Sequence, residues 1–166
     1  MSVNGNDFAS IVVGMADLKV TKSPGVLTTI GLGSCIGVAL YDPVAKIAGL
    51  AHIMLPQATT PHVSNPGKFA DTAIEKLVYD MGLLGAKPGN IVAKIAGGAQ
   101  MFNFDSTNEV LRVGDRNVTA VKEELQKQCI PLIAEETGDT FGRTMEFYSE
   151  SGKIIIKSIG QSNRLL

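Results

Sequence analysis

The chain of 166 residues has no tryptophan, two cysteines, two histidines and only 5% aromatic residues. Cys35 and Cys129 are far apart and form no C-x-x-C spacing. That excludes a disulfide scaffold and a cysteine-built zinc site. His52 and His62 do not fit an H-x₃-H spacing either, so no metal centre is expected. Charge of one sign is also lacking: 15 Lys+Arg stand against 16 Asp+Glu, a net charge of −1. Without a basic footprint, nucleic acid is not an expected partner. No apolar run approaches the roughly 20 residues that a membrane span needs. The opening MSVNGNDFAS lacks a basic start followed by an apolar core, so no export signal is read there. The expectation is a cytoplasmic protein with reduced thiols and no membrane insertion.

What is present suits a single domain over residues 1–166. A content of 45% hydrophobic and 19% charged residues excludes disorder. A chain of this size buries roughly 68–70% of its unfolded surface and needs no staple. SIVVGMADL, VLTTIGL, SCIGVALYD and KIAGLAHIML read as strands, with Asp42-Pro43 turning a hairpin between the last two. A helix is expected at about 68–84, where Phe69, Ala73, Leu77 and Met81 repeat at four and Gly85 provides a stop. The strand NIVAKIAGGAQMF follows. A second helix is expected at about 116–129, capped by Arg116-Asn117. Its stripe of Val118, Val121, Leu125 and Cys129 places Cys129 in the core. IPLIAEETG and RTMEFYSESGKIIIKSI close the chain as strands, the latter a hairpin across Ser151-Gly152. Many strands and two helices give the α+β class, a layered α/β sandwich.

The stretch GLGSCIGVAL sets a lone thiol among glycines. Gly31, Gly33 and Gly37 are spaced G-x-G-x-x-x-G, one residue too long for a dinucleotide fingerprint, and a strand follows instead of a helix. No nucleotide cofactor is expected. A thiol nucleophile needs a base. The hairpin sets the strand of His52 beside the one that starts at Cys35, on the face shared with Leu50 and Met54. A hydrogen-bonded core histidine fits the same position, so both readings stand at this point. Thr29 is six residues before Cys35, about 20 Å in extended chain. Gly31 and Gly33 give the backbone the freedom to fold back between them.

TTIGLGSCIGVALYDPVAKIAGLAHIMLP, followed in order by KFADTAIEKL, KIAGGAQMF, VGDRNVTAVKEEL, IPLIAEETG and GRTMEF, resembles the chemoreceptor glutamine deamidase (CheD) family over about residues 12–157. The resemblance implies a Cys–His–Thr triad of Cys35, His52 and Thr29. It implies hydrolysis of glutamine side-chain amides on chemoreceptors to glutamate through a thioester, without cofactor or metal, in chemotaxis adaptation. Chemoreceptor cytoplasmic helices are then the substrate and the CheC phosphatase a partner. In this scheme His52 takes the thiol proton and leaves a thiolate of lowered pKa. Backbone around Gly33, Ser34 and Cys35 supplies oxyanion donors. The same chemistry extends to a glutamyl methylesterase side activity. Gly97-Gly98-Ala99 are expected to approach the site closely. Gln100, Phe102 and Arg143 are candidates for a receptor or CheC surface, with buried support the equal alternative. His62, in an exposed loop, is not expected to act. The competing view of the whole chain is a non-catalytic module that docks on CheC or a receptor.

Overall fold

The computed structural model describes residues 10–101 and 112–166. Two runs, IGVALYD and IAGLAHI, are apolar without alternation, and both are buried at every position. They form β4 (Ile36–Asp42) and β5 (Ile47–Ile53), an antiparallel hairpin in the middle of a five-stranded sheet. Continuous apolarity is what two covered faces require. The Asp42 carboxylate shapes the turn, accepting hydrogen bonds from the Val44 and Ala45 amides at 2.9 and 3.0 Å.

The sheet is completed by β2 (Leu18–Lys22) outside β5, and by β6 (Val92–Gly97) and β7 (Leu132–Thr137) beyond β4. One face takes Ile36, Val38, Leu40, Ala51 and Ile53 under two helices, α1 (Ala70–Leu83) and α2 (Val113–Lys127). The opposite face carries Cys35, Ala39, Tyr41, Ala48 and Leu50. It packs on a second sheet, ordered β1 (Ser10–Val12), β3 (Val26–Leu32), β8 (Arg143–Tyr148), β9 (Ile154–Lys157) and β10 (Arg164–Leu165). Leu27, Met145, Phe147 and Ile156 fill the space between the sheets. Each fully buried side chain of this kind stabilises the fold by roughly 1.5–3 kcal/mol. The architecture is the expected α+β layered sandwich, with one helical and two sheet layers. Among the described residues no helix is long and apolar enough to cross a membrane.

Three local expectations change. SIVVGMADL is not one strand: β1 and β2 lie in different sheets, and the chain crosses between them through Gly14 and Ala16, the latter at φ 60°. The second helix starts at Val113, so Arg116 and Asn117 lie inside it and do not cap it. It also ends at Lys127, and Cys129 is exposed, not core. Backbone bonds set that end. The Cys129 amide donates to Gln126 O at 3.0 Å and the Ile130 amide to Leu125 O at 2.9 Å, a Schellman closure with Cys129 at φ 57°. The hydrophobic stripe continues through Ile130, which is buried against the core holding Leu125. The first helix ends in the same way, with Gly85 at φ 111° in the left-handed position as expected.

Cysteine in that conformation is strained where glycine is not. Cys129→Gly is therefore expected to raise stability by about 0.5–1 kcal/mol, after the greater entropy of glycine in the unfolded chain is counted. A thermal melt reads this as a midpoint raised by roughly 1–4 °C. A lower midpoint would show that the Cys129 side chain itself contributes.

Candidate active site

In the β4–β5 ladder Gly37 stands opposite His52 and Ile36 opposite Ile53, so Cys35 falls beside Met54. Side-chain alternation puts Cys35 and His52 on one face, toward the second sheet. They occupy diagonal positions, which on one face stand about 7–8 Å apart at Cα, within side-chain reach. Gly37, opposite His52, lets Met145 Sδ and Leu32 Cδ1 pack closely there, where a Cβ would collide with Met145 Sδ.

Thr29 comes from the opposite sheet. The register of β3 against β8 shifts between Thr29 and Leu32, and Gly31 sits in this bulge at φ 78°. The chain then leaves one sheet and enters the other at Cys35. The fold-back expected between Thr29 and Cys35 is thus a bulge followed by a crossing from sheet to sheet. Gly31 supplies the positive φ. Gly33 does not, but its carbonyl accepts from the Ala99 amide at 2.9 Å.

The hydrogen bonds around Thr29 fix a proton. Its hydroxyl donates to Val13 O at 2.7 Å and lies 2.7 Å from His52 Nδ1. A hydroxyl has one hydrogen, so toward the imidazole it accepts. His52 therefore carries its proton on Nδ1, which leaves Nε2 a bare lone pair. Nε2 is buried and has no hydrogen-bond partner among the described residues. The same β1–β2 connection that presents Val13 also clamps the backbone of His52: the His52 amide donates to Asp17 O and the Ala16 amide to His52 O, both at 3.0 Å.

Thr29 and His52 are fully buried, whereas Cys35 retains 8% exposure. Burial pushes the Cys35 thiol above 9.0, opposed in part by its own backbone N–H, and burial pushes the His52 imidazole below 6.5. Both shifts favour a neutral thiol beside a neutral imidazole. The expected lowering of the thiol pKa is corrected accordingly: Cys35 is set in the cluster of Leu27, Leu50 and Met145 and His52 is fully buried, so separated charge is poorly solvated.

The backbone on both flanks of Cys35 is held. The Gly98 amide donates to Cys35 O at 2.9 Å, and Gly97, at φ 114°, approaches so closely that a Cβ would collide with that same oxygen. Gly97-Gly98-Ala99 thus form the close approach expected of them. From α2, the fully buried Asn117 donates through Nδ2 to Ser34 O at 3.0 Å and to Met54 O at 2.9 Å. The cap expectation concealed this position. The available signal was its place four residues before Val121, a polar residue on the apolar stripe.

The remaining candidates separate. Ser34 is half-buried with its carbonyl on Asn117. Gln100 is half-buried beyond β6, its amide on Asp139 O at 2.9 Å. Arg143 is not a surface residue. It is buried, donates to Glu136 Oε2 at 3.3 Å and Gly138 O at 3.0 Å, and lies 4.5 Å from the Phe141 ring centroid, bracing the β7–β8 connection. Phe102 lies outside the described residues. His62 is exposed in its loop. Among the described residues no group of three or more His, Cys, Asp or Glu is placed to hold a metal.

Residues 54–158 match the family model described as CheD chemotactic sensory transduction. That match begins after Thr29, Cys35 and His52. A protein of Caldanaerobacter subterraneus subsp. tengcongensis named probable chemoreceptor glutamine deamidase CheD is 57% identical over 149 residues, covering 89% of this chain and 92% of the relative. Proteins of the same name from Lachnoclostridium phytofermentans and Clostridium botulinum strain Hall are each 52% identical over 155 residues, covering 93% of this chain and 96% of theirs. Among solved structures, the Bacillus licheniformis hypothetical protein YfiH aligns at TM-score 0.45 and 18% identity, over 73% of this chain and 50% of that one. The extent and identity of the matches to named relatives establish that this chain belongs to the CheD family.

Proposed function

We propose that this protein is a protein-glutamine deamidase of chemoreceptors, with Cys35 as nucleophile, His52 as general base and acid, and Thr29 as the residue that orients His52. One observation carries the reading: Val13 O, the Thr29 hydroxyl and His52 Nδ1–H form a chain that leaves Nε2 free on the face shared with Cys35. The names of the relatives support the substrate, and a substrate on the cytoplasmic helices of chemoreceptors is the support for work in the cytoplasm.

In the resting site the thiol keeps its proton. As the sulfur attacks the glutamine side-chain carbonyl, Nε2 takes that proton, so charge separates only when the substrate supplies a partner for it. The carbonyl π electrons move to oxygen, where the Cys35 amide N–H serves as a backbone donor to the oxyanion. The imidazolium then gives its proton to the departing nitrogen. The C–N bond breaks, ammonia leaves and a thioester remains. Water attacks the thioester while Nε2 takes a proton from it. The C–S bond breaks, the sulfur recovers the proton, and glutamate is released. Thr29 is neutral, so it fixes the tautomer and ring plane and adds little charge stabilisation. A glutamyl methyl ester would follow the same path with methanol as the leaving group.

The test is incubation with a receptor cytoplasmic fragment, followed by peptide mass spectrometry. Conversion of glutamine to glutamate at discrete positions is expected. A fragment that binds and is recovered with every glutamine intact would overturn the assignment and leave a docking module.

A further inference from the structure

Asn117 is a polar side chain in a place where apolar ones belong. It is fully buried on α2, yet its Nδ2 group reaches two backbone carbonyls from different strand ends, Ser34 O and Met54 O. The orientation of its amide is not arbitrary: Oδ1 turned toward the two carbonyls would repel both, so only Nδ2 can face them. Oδ1 is left buried without a partner among the described residues. Such a group is costly to retain unless the two bonds it permits matter.

The two carbonyls flank the candidate residues. Ser34 precedes Cys35, and Met54 follows His52 by two positions. A trans peptide unit is planar, with C=O and N–H directed oppositely. Drawing the Ser34 carbonyl toward α2 therefore turns the Cys35 N–H away from α2. That is the side on which the Cys35 thiol lies, in the core between the sheets; burial raises the thiol pKa and the Cys35 backbone N–H lowers it in part. On the other flank, Gly98 holds the Cys35 carbonyl. Both peptide units of Cys35 are thus pinned, one by each element.

We propose that Asn117 is a positioning residue, which aims the Cys35 amide N–H at the reacting centre by holding the Ser34 carbonyl and keeps the His52 strand in step by holding the Met54 carbonyl. The consequence for turnover rests on the deamidase reading, whereas the consequence for the thiol does not.

Asn117→Ala is expected to lower kcat for glutamine conversion roughly 10- to 100-fold, the scale of losing a well-aimed oxyanion donor. KM stays within about twofold, since no substrate contact is removed. Asn117→Ser, which keeps one donor, recovers part of the loss. A second readout needs no receptor. In a Cys129→Ser background, because exposed Cys129 would otherwise react first, the pH midpoint for iodoacetamide alkylation of Cys35 should move upward in Asn117→Ala. A third keeps the matter decidable should Asn117→Ala not fold: Asn117→Leu, an apolar side chain of similar size on the helix stripe, removes both bonds and should raise the same midpoint. The inference fails if a folded Asn117→Ala keeps the native alkylation profile and kcat. It also fails if a folded Asn117→Leu alkylates Cys35 at the native midpoint. An upward-moved alkylation midpoint in a protein that converts no glutamine would retain the positioning role and discard the deamidase reading.

Discussion

Cys35→Ala is expected to abolish glutamine conversion, with a loss of about 10⁴- to 10⁶-fold in kcat, the scale seen when a covalent nucleophile is removed. The base, its orienting threonine and the backbone donors all remain, but no thioester can form. The fold should survive. Cys35 sits at the edge of the inter-sheet core with 8% exposure, makes no side-chain hydrogen bond among the described residues, and is followed by a strand buried at every position. Its flanking backbone is held by Gly98 and Asn117 independently of the thiol. Receptor binding and the melting midpoint should therefore be near native while mass spectrometry finds glutamine unconverted. Cys129→Ser supplies the contrast, because that thiol lies exposed just past the end of α2 and its loss should leave conversion intact. Conversion by Cys35→Ala at even a few per cent of the native rate would remove Cys35 from the nucleophile's place.

What could be read in the sequence, and what could not, follows from where each signal resides. The β4–β5 hairpin was legible because two covered faces leave continuous apolar runs and Asp42-Pro43 marks the reversal. Its register was not: the ladder sets Gly37 opposite His52 and leaves Cys35 on the diagonal. Periodicity misplaced Cys129. A small apolar-like residue extended the helical stripe by one position, while the end of α2 is set by backbone bonds that usually announce themselves through glycine. Asn117 was misread for the complementary reason: asparagine near a helix start suggests a cap, and only the true start at Val113 turns it inward. The proton on His52 Nδ1 is fixed by the carbonyl of Val13, a backbone atom that leaves no mark in residue type. Thr29 reaches His52 only because β3 lies in the facing sheet, a tertiary fact that strand spacing does not encode. The resemblance to the family named Thr29, and the crossing at the Gly31 bulge explains how it arrives.

The second large effect is at the base. His52→Gln keeps a polar side chain near Thr29 but cannot shuttle a proton, and kcat should fall roughly 10³-fold, within the range general acid–base catalysis supplies. The pH profile of the native enzyme then discriminates between two resting states. If thiol and imidazole rest neutral, as their burial favours, activity is lost on the acid side only when His52 gains a proton. Burial places that below 6.5. On the alkaline side it is lost only when the thiol ionises ahead of substrate and the imidazole has no proton to give the departing ammonia. Burial places that above 9.0. The plateau of kcat/KM should therefore extend past both ordinary values. A resting thiolate–imidazolium pair behaves otherwise: its alkaline limb belongs to the imidazolium, falls well below 9.0, and is accompanied by thiolate ultraviolet absorbance at neutral pH in the Cys129→Ser background. The neutral pair requires that absorbance to be absent. A neutral Thr29, rather than a carboxylate, beside Nδ1 is the physical reason to expect this outcome: no fixed negative charge waits to stabilise the imidazolium, so it forms only when an oxyanion forms with it.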